Sequence, residues 1–247
     1  MKSESAVNAG LDPSRLPGHV AVIMDGNGRW AKKRMLNRVK GHEQGAETVR
    51  MVVRTSREIG IKYLTLYAFS TENWHRPKAE VSALMTLLNR FLDRETGEMA
   101  ENGIRLNAIG EIDRLPENVR QTLRRSREAT AENKDMCLTL ALSYGGRAEI
   151  ARAARAAAEA VRQGSIDPEE VTQQYLAACM YTLQMPDPEL LIRTSGEFRV
   201  SNFMLWQIAY TEIFVTPTLW PDFTREEYEG ILKKFQERER RFGRVSP

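Results

Sequence analysis

The most constraining feature of this sequence is an alternation of short apolar runs with longer amphipathic stretches. Six runs have the composition of strands, and most of them are apolar on both faces: 19–24, 63–69, 104–109, 136–142, 190–192 and 212–215. Helical periodicity predicts helices at about 43–58, 78–100, 116–132, 146–163, 168–182 and 224–240. Strands that are apolar on both faces belong in a sheet covered on both sides. The alternation therefore predicts an α/β fold with a mainly parallel six-stranded central sheet flanked by helices.

Length and composition predict one domain in a reducing compartment. A chain of 247 residues that is 42% hydrophobic can bury one substantial core, which we expect over residues 18–243 after a flexible segment at 1–17. That segment lacks the apolar region of a signal peptide, and no run reaches the roughly 18 apolar residues of a membrane span. Cys137 and Cys179 have no metal-ligand spacing. We therefore expect a cytoplasmic protein.

The charges of the chain are balanced overall but clustered locally. A net charge of +3 is small for a chain with 36 basic and 33 acidic side chains, so the protein is not a general polycation and no nucleic-acid partner is expected. Six cations nevertheless follow the first predicted strand: Arg29, Lys32, Lys33, Arg34, Arg38 and Lys40. An anion site, if present, must come from such local clustering.

A glycine turn directly after the first strand is the first candidate site. Asp25-Gly26-Asn27-Gly28 is compatible with an ordinary turn. Glycines also let backbone N–H groups approach an anion, so a phosphate cradle is the more specific interpretation. The stretch from Gly26 to Ala31 matches a dinucleotide-binding pattern as well. That pattern should open directly into a helix packed on the sheet, whereas residues 29–40 are basic almost throughout and lack an apolar stripe, which disfavours it.

Asp25 is the informative residue of this turn. A carboxylate among phosphate-binding cations would repel the ligand unless a metal ion lay between them. Mg²⁺ is commonly held by one or two carboxylates together with substrate phosphate oxygens. The sequence therefore predicts a magnesium diphosphate or a similar polyanion as ligand. A simple ion pair between Asp25 and Arg29 is the structural alternative.

The loop after the second strand, at 70–77, is a second candidate. Its hydroxyl and amide groups before Pro77 are sufficient to make a turn and to cap the helix that begins near residue 78. The same loop offers hydrogen-bonding groups, a cation and an indole that could cover apolar substrate, and it could close over a ligand.

The loop after the fifth strand has the composition of a second phosphate site. Arg193 and Arg199 flank a glycine turn, and Ser201 follows, which supplies fork-shaped donors and a hydroxyl. Glu212 opens the sixth strand and is either a second carboxylate near the metal or a surface residue. His42 donates to a phosphate, aids proton movement near neutral pH, or is incidental to a helix start.

A stripe of apolar residues lies on the helix predicted at 78–100. Val81, Leu84, Met85, Leu87, Leu88, Phe91 and Leu92 make up this stripe. Such a stripe normally packs on the sheet, and it could also line an apolar tunnel.

Several motifs occurring in order give the chain a resemblance to a known family. They are "MDGNGRWA" from Met24, "GH" at 41–42, "YAFSTENWHRP" from Tyr67, "YGGR" from Tyr144, "IRTSGEFRVSNF" from Ile192, "WQIAYTEIFV" from Trp206, "LWPDF" from Leu219 and "RRFG" from Arg240. On these motifs, the chain resembles a bacterial cis-prenyltransferase of the undecaprenyl diphosphate synthase type over roughly residues 17–243.

The resemblance implies a reaction that periodicity alone could not indicate. It implies successive addition of isopentenyl diphosphate to an allylic starter, usually farnesyl diphosphate, up to a C55 product that becomes the lipid carrier of peptidoglycan synthesis. It also implies Mg²⁺ dependence, a homodimer, an apolar tunnel through the core, and peripheral contact with the inner face of the plasma membrane during product release.

The resemblance also implies roles for individual residues. Asp25 and Glu212 would be associated with the metal, and Asn73 is a candidate in proton removal. The residues expected around the allylic diphosphate and its chain are Gly26, Asn27, Gly28, Arg29, Trp30, Arg38 and His42. Those expected near the reacting carbons are Ser70, Thr71, Glu72, Trp74 and Arg76. Arg193, Arg199, Val200 and Ser201 would hold isopentenyl diphosphate.

Overall fold

The computed structural model describes residues 2–238, with side chains from residue 4 onward. Its centre is a sheet of six strands in the order β3-β4-β2-β1-β5-β6. The strands are β1 His19–Ile23, β2 Tyr63–Ser70, β3 Ile104–Ile109, β4 Met136–Tyr144, β5 Leu190–Arg193 and β6 Glu212–Val215. Every adjacent pair is parallel. The predicted α/β class and six-stranded parallel sheet are confirmed.

The sheet is covered on both faces because its strands alternate between two apolar clusters. On β1, Val20 and Val22 belong to the larger cluster, whereas Ala21 and Ile23 belong to the smaller one. All five residues of β1 and all nine residues of β4 are buried. This double burial is why the strands are recognisable as continuous apolar runs.

Eight helices surround the sheet in residues 2–238. They are α1 Lys2–Asn8, α2 Asn27–Lys33, α3 Arg38–Ile59, α4 Lys78–Glu101, α5 Glu117–Ala129, α6 Gly146–Arg162, α7 Gln173–Ala178 and α8 Arg225–Gln236. The Thr224 side chain caps α8 by accepting a hydrogen bond from the Glu227 N–H, which explains why the helix begins where its periodicity predicts. The predicted extension of this helix to residue 240, and the "RRFG" motif, lie outside the described residues.

Two helix predictions need correction. The helix predicted from 43 begins at Arg38, because the Asn37 side chain accepts a hydrogen bond from the Lys40 N–H and caps the helix there. The helix predicted at 168–182 is divided into a 3-10 turn at Pro168–Glu170 and α7. Thr172 separates them because it caps a new helix by accepting from the Tyr175 N–H.

The N-terminal segment, expected to be flexible, is folded onto the rest of the chain. Ala6 of α1 and Leu11 are buried in the larger apolar cluster. The Asp12 N–H also donates to Gln236 Oε1 at 3.1 Å, and Gln236 Nε2 donates to the Asp12 carbonyl at 2.7 Å. An isolated alanine and an isolated leucine in a polar segment give little sequence signal, so this packing was not anticipated. The mobility of residues 1–17 stays a prediction.

Candidate active site

The site is built where the carboxyl ends of β1, β2 and β5 meet at one edge of the sheet. The register pairs Ile23 with Arg193, so the residues that follow β1 and β5 leave the sheet side by side. Thr194 fixes the turn after β1, because its hydroxyl accepts from the Asp25 N–H at 3.0 Å and donates to the Asp25 carbonyl at 2.7 Å. The Trp220 N–H donates to the same carbonyl at 3.0 Å. The position of Asp25 is therefore set by two parts of the chain that are distant in sequence.

The Asp25 carboxylate faces two arginines. Arg193 donates to Asp25 Oδ2 at 2.8 Å, and an Arg29 nitrogen lies 3.4 Å from the same oxygen. Partial burial of the carboxyl would raise the pKa of Asp25, but the Arg193 hydrogen bond and the two positive charges outweigh it and hold the pKa below its ordinary value. Asp25 is therefore ionised at neutral pH. The predicted ion pair with Arg29 exists, and the stronger partner is Arg193.

The glycine turn opens directly into a helix, contrary to our expectation. Gly26 has a φ of +113°, and α2 begins at Asn27. A Cβ on Gly26 would lie 3.0 Å from Leu219, so both the conformation and the space favour glycine. The apolar stripe was missing because α2 has only seven residues and buries a single side chain, Ala31. The helix is therefore present, but α2 packs mainly against α3 and the 3-10 turn at Trp220–Asp222, so the dinucleotide pattern's requirement for a helix packed on the sheet is not met.

Gly28 and Asn27 bring α2 close to α3. A Cβ on Gly28 would lie 2.8 Å from the Arg38 guanidinium, so glycine lets this cation approach the turn. Asn27 Oδ1 is buried and has no hydrogen-bond partner among the described residues. Asn27 also lines a cavity between α3, α4 and the sheet, called the main cavity below because it opens at this site. A buried, unpartnered amide oxygen on a cavity wall is suited to meet a donor from a ligand.

The loop after β5 arranges polar groups around Arg193. Its side chain is buried, and it donates to Ser201 Oγ at 2.7 Å and to the Arg199 carbonyl. The Val200 carbonyl closes the turn by accepting from the Phe203 N–H at 3.0 Å. Ser201 has a φ of +47°, a conformation that side chains rarely adopt. The predicted group of Arg193, Val200 and Ser201 is thus assembled in one turn beside Asp25.

Glu197 is a site residue that sequence reasoning missed. It accepts from Arg29 at 2.9 Å through Oε1 and from the exposed Arg199 through Oε2. The Arg29 guanidinium also donates to the Ser195 hydroxyl and carbonyl. Glu197 therefore ties the cations of α2 to those of the β5 loop. Its place inside the arginine motif was the available signal.

The loop after β2 forms a short 3-10 turn, Thr71–His75. The Ser70 N–H donates to Asn73 Oδ1 at 3.1 Å, and the Ser70 hydroxyl accepts from the Asn73 N–H. The indole of Trp74 donates to Ser143 Oγ at 2.9 Å and packs edge-on against Phe69. Ser70 and Asn73 thus cap this turn and not α4, whose N-cap Pro77 supplies no side-chain hydrogen bond, so the expected capping of that helix is wrong. Asn73 also lines the main cavity.

A cluster of cations around Glu80 stands at the cavity mouth. Arg76 donates to Glu80 Oε1 at 3.0 Å, and Arg38 donates to Oε2 at 3.4 Å. His42 faces the same charges; burial, followed by the positive charges of Arg76 and Arg38, lowers its pKa to about 4 although Glu80 opposes the shift. Sequence reasoning missed Glu80, although its position in the first turn of α4, four residues after Arg76, was a usable signal.

Trp30 lies at the outer side of α2. Its indole donates to Asp222 Oδ1 at 2.6 Å, and the Arg34 guanidinium stacks on its ring at 4.1 Å. Trp30 does not line the main cavity, so a contact with the substrate chain stays a prediction.

The main cavity, of about 180 Å³, extends from this polar mouth between α3, α4 and the sheet. Asn27, His42, Asn73 and Arg76 line its polar part. Leu84, Leu88, Phe91 and Leu140 are among the residues of its apolar part. On the same helix, Leu92 is fully buried in the core. The stripe predicted on this helix thus serves both as core and as cavity wall.

Glu212 is not brought together with Asp25 within one chain. It opens β6 and pairs in register with Leu190, which pairs with Val20, five residues before Asp25. It therefore lies at the amino ends of the strands, away from the carboxyl ends where Asp25 lies. There it forms an ion pair with Arg238. Its expected approach to the same metal is not realised by this arrangement.

The Asp25 region fits a magnesium ion that arrives with a diphosphate. In residues 2–238, no group of three or more His, Cys, Asp or Glu side chains is arranged to hold a metal ion. A protein-only cage is therefore not available there. One partly exposed carboxylate beside Arg29 and Arg193 instead matches the usual Mg²⁺ arrangement, in which phosphate oxygens complete the coordination.

The comparisons with known proteins decide the family. The family model Prenyltransf, described as "Putative undecaprenyl diphosphate synthase", matches residues 23–243. The chain belongs to the cis-prenyltransferase family. The resemblance inferred from the motifs is thereby confirmed, and the protein is a prenyltransferase of isoprenoid biosynthesis.

Relatives of this cis-prenyltransferase match nearly its whole length. An isoprenyl transferase of Heliobacterium mobile is 50% identical over 242 residues, which cover 98% of this chain and 93% of the relative. The crystal structure of lavandulyl diphosphate synthase from Lavandula x intermedia, in complex with dimethylallyl diphosphate, has a TM-score of 0.91 and 36% identity, covering 93% of this chain and 99% of that one. The crystal structure of a "probable undecaprenyl diphosphate synthase" from Campylobacter jejuni has a TM-score of 0.76 and 37% identity, covering 92% of this chain and 99% of that one.

Proposed function

We propose that this cis-prenyltransferase condenses isopentenyl diphosphate successively onto farnesyl diphosphate to form undecaprenyl diphosphate, the C55 precursor of the peptidoglycan lipid carrier. The observation that carries the proposal is a cationic, Asp25-centred strand-end site joined through Asn27 to a cavity with apolar walls. A site with this division suits a ligand that has an anionic head and a hydrocarbon tail. The dimethylallyl diphosphate complex of the lavandulyl diphosphate synthase supports the same class of substrate.

In this proposal the allylic diphosphate binds at the turn after β1. Arg29 and Arg38 provide positive charge, and the first-turn N–H groups of α2 have no intrahelical acceptors. As the allylic C–O bond lengthens, negative charge accumulates on the departing diphosphate, and preorganised donors stabilise that charge. Bound Mg²⁺ would supply further charge stabilisation, with Asp25 as its protein ligand.

Isopentenyl diphosphate binds at the β5 loop, where Arg193, Arg199 and Ser201 supply donors. Its alkene must lie close to the allylic carbon, and such positioning contributes up to several kcal/mol to lowering the barrier. The side-by-side departure of the chain after β1 and β5 accounts for two neighbouring diphosphate sites. Asn73, on the cavity wall, is the candidate group near the proton that leaves.

We also propose that the enzyme is a homodimer. Ile213, 41% exposed, lies on the edge strand β6, and the exposed Tyr210 and Phe198 come from the segment that leads to it. Large apolar side chains on an open strand edge are unfavourable in water and are commonly covered by a partner. A second copy of this chain is the simplest partner for them.

We propose a cytoplasmic enzyme that contacts the inner face of the plasma membrane when it releases product. No helix in residues 2–238 is long and apolar enough to cross a membrane. A C55 chain would expose a large apolar surface in water, at a cost of about 0.8 kcal/mol per CH₂ group. Transfer directly into a bilayer avoids this cost.

Incubation of the purified chain with farnesyl diphosphate, radiolabelled isopentenyl diphosphate and Mg²⁺ tests the proposal. We expect a C55 diphosphate as the main product, no product after complete chelation by EDTA, and recovery when Mg²⁺ is restored. A product of one condensation only would contradict the assigned chain length. Full activity after chelation would contradict the metal dependence.

A further inference from the structure

Asn202 joins three separate parts of the site, and neither the sequence motifs nor the comparisons assign it a role. It directly follows Ser201, and its backbone has a φ of +61°, which asparagine tolerates better than most residues. Its carbonyl accepts from the Gly146 N–H at 2.7 Å, and its Oδ1 accepts from the Arg147 N–H at 2.8 Å. Its Nδ2 donates to Glu72 Oε1 at 2.8 Å. One residue thus contacts the start of α6 and the loop after β2.

The contact with α6 is a cap supplied from elsewhere in the chain. Gly145, at the N-cap position, provides no side-chain hydrogen bond to the helix. The first N–H groups of a helix have no intrahelical acceptor, and Asn202 satisfies two of them. Because α6 begins at the end of β4, which lies inside the sheet, this cap fixes Asn202 relative to the sheet.

The contact with Glu72 connects that fixed point to the Thr71–His75 turn. Burial would raise the pKa of Glu72, but hydrogen bonds, led by the one from Asn202, hold it below its ordinary value, so the acceptor is a carboxylate. The packing is close as well, because a Cβ on Gly145 would lie 2.6 Å from Thr71 Oγ1 and 2.8 Å from Asn202 Nδ2. The three segments meet with no space for an additional methyl group.

We propose that Asn202 is a positioning residue for prenyl transfer. Through its hydrogen bond to Glu72, it holds the Thr71–His75 turn in a fixed position relative to Arg193 and Ser201. This inference rests on the proposed function. Asn202 acts through its neighbours: it keeps the loop that carries Asn73 at a fixed distance from the isopentenyl diphosphate site. Its loss should therefore raise KM for isopentenyl diphosphate and lower kcat, while KM for farnesyl diphosphate changes little.

A double-mutant cycle between positions 202 and 72 tests the proposal. Asn202→Asp keeps the acceptor for the Arg147 N–H but sets two carboxylates against each other. Glu72→Gln in that background restores a donor and acceptor pair in the opposite direction. At low salt we expect Asn202→Asp to lower kcat/KM for isopentenyl diphosphate about fivefold or more. Glu72→Gln, harmful alone, should recover at least about threefold when added to Asn202→Asp.

Salt provides a readout that a general loss of stability would not move. Glu72 is exposed, so added salt screens the repulsion between the two carboxylates. The defect of Asn202→Asp relative to the double variant should therefore shrink as salt rises. Strictly additive effects of the two substitutions, with no dependence on salt, would overturn the proposal.

Amide exchange without substrates separates this inference from the proposed function. In Asn202→Ala we expect at least about tenfold faster exchange at Gly146 and Arg147, because both N–H groups lose their acceptor or its support. Asn107→Ala is the matched control, since Asn107 of β3 contacts Thr139 of β4 and Met185 and, within the part of the chain that the structure describes, forms no hydrogen bond with Asn202 or Glu72. If the wild type is active and amide exchange at Gly146 and Arg147 is unchanged in Asn202→Ala, the positioning role is overturned. A correctly folded wild type that makes no prenyl product overturns the proposed function and this role with it.

Discussion

Arg193 and Asp25 form an ion pair between the ends of two neighbouring strands, at 2.8 Å. The Arg193 side chain is only 4% exposed, whereas that of Asp25 is 31% exposed. A buried guanidinium is costly unless an anion and further acceptors satisfy it. Asp25, Ser201 and the Arg199 carbonyl satisfy the two terminal nitrogens, whereas Arg193 Nε has no partner among the described residues. The pair therefore keeps Asp25 ionised and aims Arg193 at the same edge of the sheet.

Replacing Asp25 with alanine should lower turnover by at least about 10²-fold while the fold persists. The free energy of unfolding should fall by about 1–3 kcal/mol, because Arg193 loses a charge-assisted hydrogen bond. Steady-state kinetics and urea unfolding measure the two effects. Asp113→Ala is the control, because that carboxylate is fully exposed and its ion pair with Arg120 is long, at 3.8 Å. A nearly normal rate in Asp25→Ala would remove this carboxylate from the mechanism.

Replacing Arg193 with alanine should chiefly weaken isopentenyl diphosphate. We expect its KM to rise at least about tenfold, since a charge-assisted, fork-shaped contact is lost. Arg193→Lys should recover little, because an ammonium cannot reach Asp25 and Ser201 in the same geometry. Separate titration of each substrate measures the effect, with the surface variant Arg225→Ala as control. A change confined to farnesyl diphosphate would contradict the assignment.

The sheet was predictable from sequence because both of its faces are buried. Strands such as β4, in which all nine residues are buried, leave a continuous apolar run that periodicity detects within two residues of the true ends. The rule that ligands meet the carboxyl ends of strands then brought Asp25, Arg193 and the loop after β2 together. The same rule places Glu212 away from Asp25 within one chain, because that residue opens its strand, and its association with the metal stays a prediction.

Other parts of the site could not be predicted, because they depend on contacts between distant residues. Helix α2 escaped detection because one buried alanine leaves no periodic pattern. Glu197 and Glu80 each bridge two arginines. Their nearby partners were signalled by spacing, but a single sequence does not reveal the distant ones, such as Arg38 for Glu80. Asn202 was missed for the same reason, since its partners lie 55 and 130 positions away.

Filling the apolar part of the cavity should shorten the product. Leu88 lines the cavity, and a tryptophan there would occupy space that a growing chain needs. We expect Leu88→Trp to release products with fewer isoprene units, at a cost in stability of about 1–3 kcal/mol from overpacking. Arg90→Trp on the exposed side of the same helix is the control. Chain-length analysis of the radiolabelled product measures the change, and an unaltered product from Leu88→Trp would show that the chain grows elsewhere.

His42 should be neutral in the free enzyme at neutral pH and should gain proton affinity when a diphosphate binds. Its folded pKa of about 4 lies below the ordinary value of 6.5, so the unfolded chain takes up its proton first as pH falls. The protein therefore loses folding stability through His42 as pH falls from 6.5 to 4, and His42→Gln should reduce that loss. The buried His19, whose pKa is also lowered to about 4, accounts for a further part of the loss.

An NMR titration of the His42 ring proton measures this pKa directly, with His42→Gln to assign the signal. Inorganic pyrophosphate should raise the midpoint, because its negative charge offsets the effect of Arg76 and Arg38 and favours the imidazolium. A midpoint near 6.5 without ligand would contradict the burial argument. An unchanged midpoint with saturating pyrophosphate would place the diphosphate away from His42.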